Sequence, residues 1–191
     1  MRLFTGIELD AAVVHAAGEL VTELSHRSAE LAPRARVAWV TTERMHVTVR
    51  FIGHTNDDVA ARIRAELHAP VPVPPFTLRV ERLGSFPPRG SPRVIWAGLS
   101  GDIEGLAAVE RDVTARLSRA GIPPEDRPYS PHLTLGRVKE PGGLKTAALV
   151  RDLADVVLGA TTVEAITLFE SRVSSKGPTY IALQRTPLQG H

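Results

Sequence analysis

The sequence predicts an α+β fold of two pseudo-symmetric lobes, in which two antiparallel sheets line a central cleft and helices pack on the outside. The pattern His46-Val47-Thr48-Val49 returns as His132-Leu133-Thr134-Leu135, each time in an alternating apolar run that is typical of a half-buried strand. The order strand, helix, His-x-Thr strand, helix, strand and strand is also predicted twice. Similar spacing, from His46 to Trp96 and from His132 to Tyr180, indicates an internal duplication.

The first round of elements begins with a strand over residues 1–9. Asp10 is a good helix N-cap, and the helix after it has an apolar stripe of Val13, Ala17, Leu20, Val21 and Leu24. A short strand over residues 37–40 precedes the first His-x-Thr strand. The segment Thr55-Asn56-Asp57-Asp58 predicts a capping box for a second helix with the stripe Val59, Ile63 and Leu67. A stiff proline-rich connector over residues 70–75, too short to separate two domains, leads to strands over residues 76–83 and 94–99.

The second round reuses the 94–99 strand. Its helix has the stripe Leu106, Val109, Val113 and Leu117 and ends at Gly121. A polar, proline-rich loop over residues 122–131 then delivers the second His-x-Thr strand. A fourth helix is predicted from Leu149, Leu153, Val156 and Val157, with Gly159 as its stop. Strands over residues 163–173 and 179–184, joined by a turn over 174–178, close a single domain that spans residues 1–191.

The composition limits the classes of function that this chain can have. The 191 residues are 43% apolar and 23% charged, as in a soluble globular protein. A net charge of +2 is too small for broad counterion-release binding to duplex nucleic acid. With no cysteine there is no disulfide, thiolate nucleophile or cysteine-based zinc site. Because no signal-peptide core or long apolar span is visible, we expect a cytoplasmic monomer that does not interact with membranes.

The paired motifs carry the chemistry. On a strand, residues i and i+2 share a face at roughly 7 Å, so each motif places one imidazole beside one hydroxyl. Two such pairs facing each other would surround a small anion with two proton-transfer groups and two donors, the layout of a phosphodiester site that works by general acid–base catalysis. The alternative is two strand histidines satisfied by backbone partners. A metal site is poorly supported, because threonine is not a usual ligand and no His/Asp/Glu cluster completes one.

Further segments accompany the motifs: Met1-Arg2-Leu3-Phe4, Trp39, Arg50-Phe51-Ile52-Gly53, Leu83-Gly84-Ser85-Phe86-Pro87, Val94-Ile95-Trp96-Ala97-Gly98, Gly136-Arg137 and Gly177-Pro178-Thr179-Tyr180. With these, nearly the whole chain resembles the 2H phosphoesterase superfamily, and within it the bacterial RNA 2′,3′-cyclic phosphodiesterases, historically called 2′-5′ RNA ligases. Family members more often have Lys and Leu where this chain has Arg50 and Ile52. Those changes keep charge and apolarity.

The resemblance implies a hydrolase without metal or cofactor that acts on RNA or oligonucleotide ends carrying a 2′,3′-cyclic phosphate and leaves a 2′-phosphate. It implies that His46 is the proton donor and His132 the proton acceptor. Imidazole can do either job near neutral pH, and the nearly identical motifs do not assign the roles by themselves. Thr48 and Thr134 would donate hydrogen bonds to the non-bridging phosphate oxygens.

Other candidates flank the motifs. Arg137 matches a phosphate-contacting arginine of the family; strict alternation would turn it away from His132, unless a bulge at Gly136 re-aims it, and otherwise it is an ordinary solvated arginine. Arg50 is four residues after His46, so strand alternation places it on the same face. It either lines the cleft or extends to solvent. Phe86 and Tyr129 are expected in loops beside the site, where they could stack on a terminal base. Core packing is expected for Trp39 and Trp96.

Two other functions remain open at this point. The same site run backwards would be an ATP-independent ligase that joins a 2′,3′-cyclic end to a 5′-hydroxyl, although water at high concentration favours hydrolysis. A non-enzymatic nucleotide- or RNA-binding module on the same fold is the other. The presence of both complete motifs counts against it.

Overall fold

Nine strands and four α-helices make up the part of the chain that the computed structural model describes, residues 1–153, 155–175 and 177–190. The strands are β1 (Arg2–Glu8), β2 (Arg36–Trp39), β3 (His46–His54), β4 (Phe76–Phe86), β5 (Val94–Gly101), β6 (Leu133–Glu140), β7 (Val157–Val163), β8 (Ala165–Ser174) and β9 (Gly177–Pro187). The helices are α1 (Ala11–Leu31), α2 (Asp57–Glu66), α3 (Ile103–Arg119) and α4 (Thr146–Leu149). A 3₁₀ turn (Thr42–Arg44) precedes β3.

The strands form one sheet in the order β7-β4-β5-β6-β3-β1-β8-β9, with β2 paired to β6. The pairings between these strands are antiparallel, and the motif strands β3 and β6 meet at one pair of residues, Val47 and Leu133. The α+β class with antiparallel strands and packed helices is therefore confirmed. The two predicted sheets are joined into one, because the motif strands approach closely enough to share a backbone pairing.

Helices cover one face of this sheet and create two apolar clusters. One cluster places α2 and α3 against β1 and β3, with Val47, Ile63, Leu106, Val113 and Leu117 fully buried. The other places α1 against β5 and β6, with Ala17, Leu24, Ile95, Leu133 and Leu135. The apolar residues of both motifs are thus on the helix side. The intervening His46, Thr48 and Thr134 side chains lie on the opposite side, called the motif face below.

The fourth predicted helix is largely wrong. Helix α4 ends at Leu149, and Val157 and Gly159 belong to β7. β7 pairs with β4 from Phe76–Val163 to Glu81–Val157. This tertiary pairing satisfies the backbone of a valine- and threonine-rich segment and outweighs its short helix-like spacing.

One smaller expectation also changes. The N-cap of α2 is Asn56, whose side chain accepts a hydrogen bond from Val59 N at 2.9 Å, and not Thr55. The 70–75 connector packs into the molecule, since Val71 is buried and bridges to Leu188. Residue 176, within the predicted 174–178 turn, lies outside the described residues. None of the described helices is both long and apolar enough to cross a membrane.

Candidate active site

The two motif histidines are held in the same way. His46 Nδ1 lies 2.8 Å from the carbonyl oxygen of Arg44, and His132 Nδ1 lies 2.7 Å from that of Ser130, in each case two residues earlier. A carbonyl oxygen only accepts, so Nδ1 carries the proton of each neutral ring and Nε2 keeps its lone pair. In the first motif, Nε2 of His46 lies 3.0 Å from Thr48 Oγ1. The predicted neighbouring imidazole and hydroxyl are therefore present there.

An aromatic enclosure surrounds His46. The centroid of the His46 ring lies 4.8 Å from the ring centroid of Phe4, 5.1 Å from that of Tyr180 and 6.1 Å from that of Phe169. Beneath it passes β1 at Gly6, where an added Cβ would lie 3.2 Å from His46 Cδ2 and 3.1 Å from the Val47 carbonyl oxygen. Sequence reasoning missed this enclosure. A glycine inside a strand is the signal that could have indicated the close approach.

His132 has fewer aromatic neighbours than His46 among the described residues. It lies immediately before β6, and the Phe86 ring is nearly perpendicular to the imidazole at a centroid distance of 5.1 Å. Phe86 ends strand β4 instead of lying in a loop, so that expectation is corrected. The Phe86 ring also packs on Trp96 at 5.2 Å.

The two tryptophans differ in position. Trp39 packs against the α1 cluster beside Gly136, as predicted. Trp96 pairs across strands with Thr134 and lies over Gly84, so it is on the motif face and the core-packing prediction for it is wrong. Antiparallel alternation explains this, because the fully buried core residues of β5 are its neighbours Ile95 and Ala97.

Each motif ends in a β-bulge at its fourth residue. In β3, Gly6 pairs with Thr48 but Thr5 pairs with Arg50, which leaves Val49 as the extra residue. In β6, Trp96 pairs with Thr134 but Ile95 pairs with Gly136, which leaves Leu135 as the extra residue. A bulge shifts the alternation by one position. Consequently Arg50 and Gly136 are buried, whereas Phe51 and Arg137 are exposed.

The bulge at Leu135 brings Arg137 to the motif face. Burial lowers the pKa of both His46 and His132 below the usual 6.5, and the Arg137 charge lowers the pKa of each ring further. The Arg44 and Ser130 carbonyl contacts act in the opposite direction. The charge of His132 adds to the lowering of the His46 pKa. The two imidazoles therefore lie within the electrostatic field of the Arg137 guanidinium.

Arg50 neither lines the cleft nor extends to solvent, the two positions predicted for it. The bulge turns it to the helix side, where only 4% of the side chain is exposed. Its Nη1 forms an ion pair with Glu125 and its Nη2 donates to the Pro123 carbonyl oxygen. The guanidinium therefore holds the 122–131 loop and does not line the site.

Tyr129 also differs from its prediction. Its hydroxyl donates to the Thr48 carbonyl oxygen at 3.0 Å, and its ring packs against the apolar cluster of α2 and α3. Burial, with a smaller effect of the Glu110 charge, raises the pKa of Tyr129 far above its usual 10, so the phenol stays a donor. Because both ends of this side chain are engaged, it is corrected from a stacking residue to a structural contact.

The family can now be assigned from comparison with known proteins. The profile of the 2′-5′ RNA ligase superfamily matches residues 15–174. This chain belongs to the 2′-5′ RNA ligase superfamily. A relative from Aeropyrum pernix, named RNA 2′,3′-cyclic phosphodiesterase, is 35% identical over 75% of this chain and 82% of its own. A relative of the same name from Archaeoglobus fulgidus is 32% identical over 94% and 96%. The family recognised from the paired motifs is therefore confirmed.

Solved structures of similar proteins agree with this superfamily fold. A crystal structure from Thermus thermophilus has a TM-score of 0.76 and 27% identity and covers 100% of this chain and 99% of its own. Escherichia coli LigT complexed with 3′-AMP has a TM-score of 0.71 and 23% identity, with 98% and 97% coverage, and supports the fold alone. Across the described residues, no group of three His, Asp or Glu side chains gathers as metal ligands.

Proposed function

We propose that this superfamily member is an RNA 2′,3′-cyclic phosphodiesterase that hydrolyses terminal 2′,3′-cyclic phosphates to 2′-phosphates by metal-free catalysis with two histidines. The observation that carries the proposal is the matched orientation of His46 and His132. Each ring commits Nδ1 to a backbone carbonyl, the Arg137 charge lowers the pKa of both rings, and the His132 charge lowers that of His46. The relatives from Aeropyrum pernix and Archaeoglobus fulgidus, which carry this enzyme's name, support the same activity.

The reaction needs one base and one acid. In the proposed step, His132 Nε2 takes a proton from water as the water oxygen bonds to phosphorus. The bond between phosphorus and the 3′ oxygen breaks, and His46 Nε2 protonates that oxygen to give a 3′-hydroxyl and a 2′-phosphate. The roles of donor and acceptor follow the family resemblance. The negative phosphodiester favours the protonated imidazole on binding, which offsets the lowering of the His46 pKa by burial and by Arg137.

The remaining site residues would bind the phosphate and the terminal nucleoside. We propose that the hydroxyls of Thr48 and Thr134 and the Arg137 guanidinium donate to the non-bridging oxygens, where charge grows in the transition state. Phe86, whose ring already contacts that of His132, is proposed to border the terminal nucleoside. No supporting contact remains for Tyr129 as a stacking partner.

A direct test is incubation with a 2′,3′-cyclic mononucleotide in EDTA, with products identified by phosphorus NMR. The cyclic phosphate signal should be replaced by that of a 2′-phosphomonoester. Activity that disappears in EDTA and returns with a divalent ion would contradict the metal-free mechanism. A 3′-phosphate product would contradict the assigned leaving oxygen, and no turnover at all would contradict the function.

Ligation is a second candidate, favoured by the name of the superfamily. By microscopic reversibility, the same two histidines could join a cyclic end to a 5′-hydroxyl without ATP. The test adds an oligonucleotide with a 5′-hydroxyl to the cyclic substrate and compares joined with hydrolysed product. Hydrolysis should dominate, because water is in large excess over any 5′-hydroxyl end.

A further inference from the structure

The relative position of the two motif strands depends on little backbone pairing. β3 and β6 share the single pair Val47 and Leu133. Beyond it, β2 pairs with the later part of β6, from Trp39–Gly136 onward. On the His132 side of that pair, the chain is the 122–131 loop, which forms no helix or strand. No strand pairing therefore fixes the segment that leads into His132, and side-chain contacts reach it instead.

One such contact comes from Arg50. Its guanidinium is buried, and it reaches from β3 to the start of the loop, where it pairs with Glu125 and donates to the Pro123 carbonyl oxygen. It also donates to the Phe51 carbonyl oxygen at 3.3 Å, which ties it to its own strand. A buried charge with these partners is costly to leave unpaired, so the loop and the strand are held together.

The second contact is closer to the histidine. The Tyr129 hydroxyl donates to the Thr48 carbonyl oxygen, within the first motif. The next residue, Ser130, supplies the carbonyl that accepts from His132 Nδ1 at 2.7 Å. A single short segment thus links the backbone of Thr48 to the orientation of the second imidazole.

We propose that Arg50, Glu125 and Tyr129 form a loop anchor that positions the His132 imidazole relative to the His46 strand, and that all three are positioning residues for the reaction. This inference rests on the proposed function. The anchor touches neither the phosphate nor the reacting atoms. It acts through the Ser130 carbonyl, which keeps His132 in the tautomer whose Nε2 is free to accept a proton.

Tyr129→Phe is the sharpest variant, since it keeps the ring packing and removes one hydrogen bond. Nitrogen-15 NMR above pH 7 should show the Nδ1–H tautomer of His132 in the parent. In the variant, the ratio of Nδ1–H to Nε2–H tautomer should fall by about tenfold at His132 and stay unchanged at His46, the scale of one lost hydrogen bond. On the cyclic phosphate, kcat should fall by about tenfold with KM within about twofold.

Arg50→Met should show the same changes and Arg50→Lys should restore part of the activity. Arg116→Met is the matched control, because Arg116 is equally buried and holds the carbonyls of Glu66, Ala69 and Pro70, in a segment with no proposed site residue. It should lower stability without changing kcat or the His132 tautomer ratio.

An unchanged His132 tautomer ratio in Tyr129→Phe would overturn the anchor, whether or not kcat fell. An equal loss of kcat in Arg116→Met would show that the loss comes from lower overall stability. That result would also overturn the anchor. If the parent failed to hydrolyse the cyclic phosphate, the proposed function would fall, while the tautomer measurement would still decide the anchor.

Discussion

The threonine of each motif lies two residues after its histidine, on the same face of the strand. For Thr48 the hydroxyl already touches the imidazole Nε2 at 3.0 Å. Replacing Thr48 or Thr134 by valine keeps the shape and removes a donor. We expect kcat on a 2′,3′-cyclic phosphate to fall by about 100-fold in each variant, since an oxyanion donor contributes about 3 kcal/mol in the transition state.

Steady-state kinetics with a folding control check this expectation. Thr22→Val on α1 is the matched control, because Thr22 is exposed and its hydroxyl donates to the Gly18 carbonyl oxygen of its own helix. It should behave as the parent. Parent-like kcat in both motif variants would show that the threonines serve the strands and not the phosphate.

Arg137 influences both histidines through its charge. Burial and the Arg137 charge lower the pKa of His46 and His132 below 6.5, so both limbs of the free-enzyme profile of kcat/KM against pH should lie below that value. Arg137→Gln removes the repulsion and both pKa values rise toward 6.5. The optimum of kcat/KM should therefore move to higher pH, and KM should rise by about tenfold through loss of a bidentate phosphate donor.

The pH profile of Lys139→Gln is the control for Arg137, since Lys139 is an exposed cation two residues further along β6. Its optimum should not move. If the Arg137→Gln optimum stayed in place or moved to lower pH, Arg137 would not face the two rings.

Residue types in the motifs could be predicted because strand alternation needs only local sequence. The sequence placed His46 and Thr48 side by side, and the structure has them in contact. The Nδ1 partners could not be predicted, because a carbonyl orients a ring only through the actual path of the chain. The enclosure of His46 by Phe4 and Tyr180 brings together three distant strands and needs the tertiary fold.

At the scale of elements, the two bulges decide which residues reach the site. Strict alternation predicted that Arg50 would share the face of His46 and that Arg137 would not share that of His132. The bulge at Val49 turns Arg50 to the helix side, and the bulge at Leu135 brings Arg137 to the motif face. A glycine signalled the second bulge, whereas nothing in the composition of β3 signals the first. The rule that alternate residues of a strand share one face holds only as far as such a bulge.

The close approach of β1 to β3 gives a prediction at this scale. Gly6→Ala would place a methyl group 3.2 Å from His46 Cδ2 and 3.1 Å from the Val47 carbonyl oxygen. We expect a loss of about 1–2 kcal/mol in the free energy of unfolding through overpacking. Displacement of the imidazole should also lower kcat by about tenfold.

Gly98→Ala is the matched control for Gly6, because its added Cβ would crowd the Glu81 carbonyl oxygen at the same 3.1 Å but does not meet His46. Denaturant unfolding and kinetics of both variants separate the two effects. Equal kcat losses in both would mean that crowding in the sheet, and not the position of His46, limits turnover.

For the whole molecule, the sheet divides at the Val47–Leu133 pair into two halves of four strands, with β2 added to one. Strand β4 follows the first motif strand in the chain but lies in the half that contains β6. Strand β8 comes after the second motif strand, β6, in the chain but lies in the half that contains β3. We propose that the chain is one domain of two pseudo-symmetric lobes that exchange these strands. The spacing of Trp96 and Tyr180 could not reveal such an exchange, because spacing carries no information on pairing partners.

The overall charge bears on how RNA is recognised. A net charge of +2 gives little general attraction to a phosphate backbone. In competition assays, a long RNA with a plain 3′-hydroxyl should therefore inhibit much less than a short oligonucleotide that ends in a cyclic phosphate. Equal inhibition by the two would favour a general RNA-binding module over an end-processing enzyme.

The central claim is that His46 and His132 are the acid and base of one site, and single substitutions test it most directly. Turnover of a 2′,3′-cyclic mononucleotide by His46→Ala, His132→Ala and the control His15→Ala is the decisive measurement. His15 lies on α1 with 78% of its side chain exposed. Each motif variant should lose about 10²–10⁴-fold in kcat while His15→Ala matches the parent. Parent-like turnover in either motif variant, or an equal loss in His15→Ala, would contradict the account.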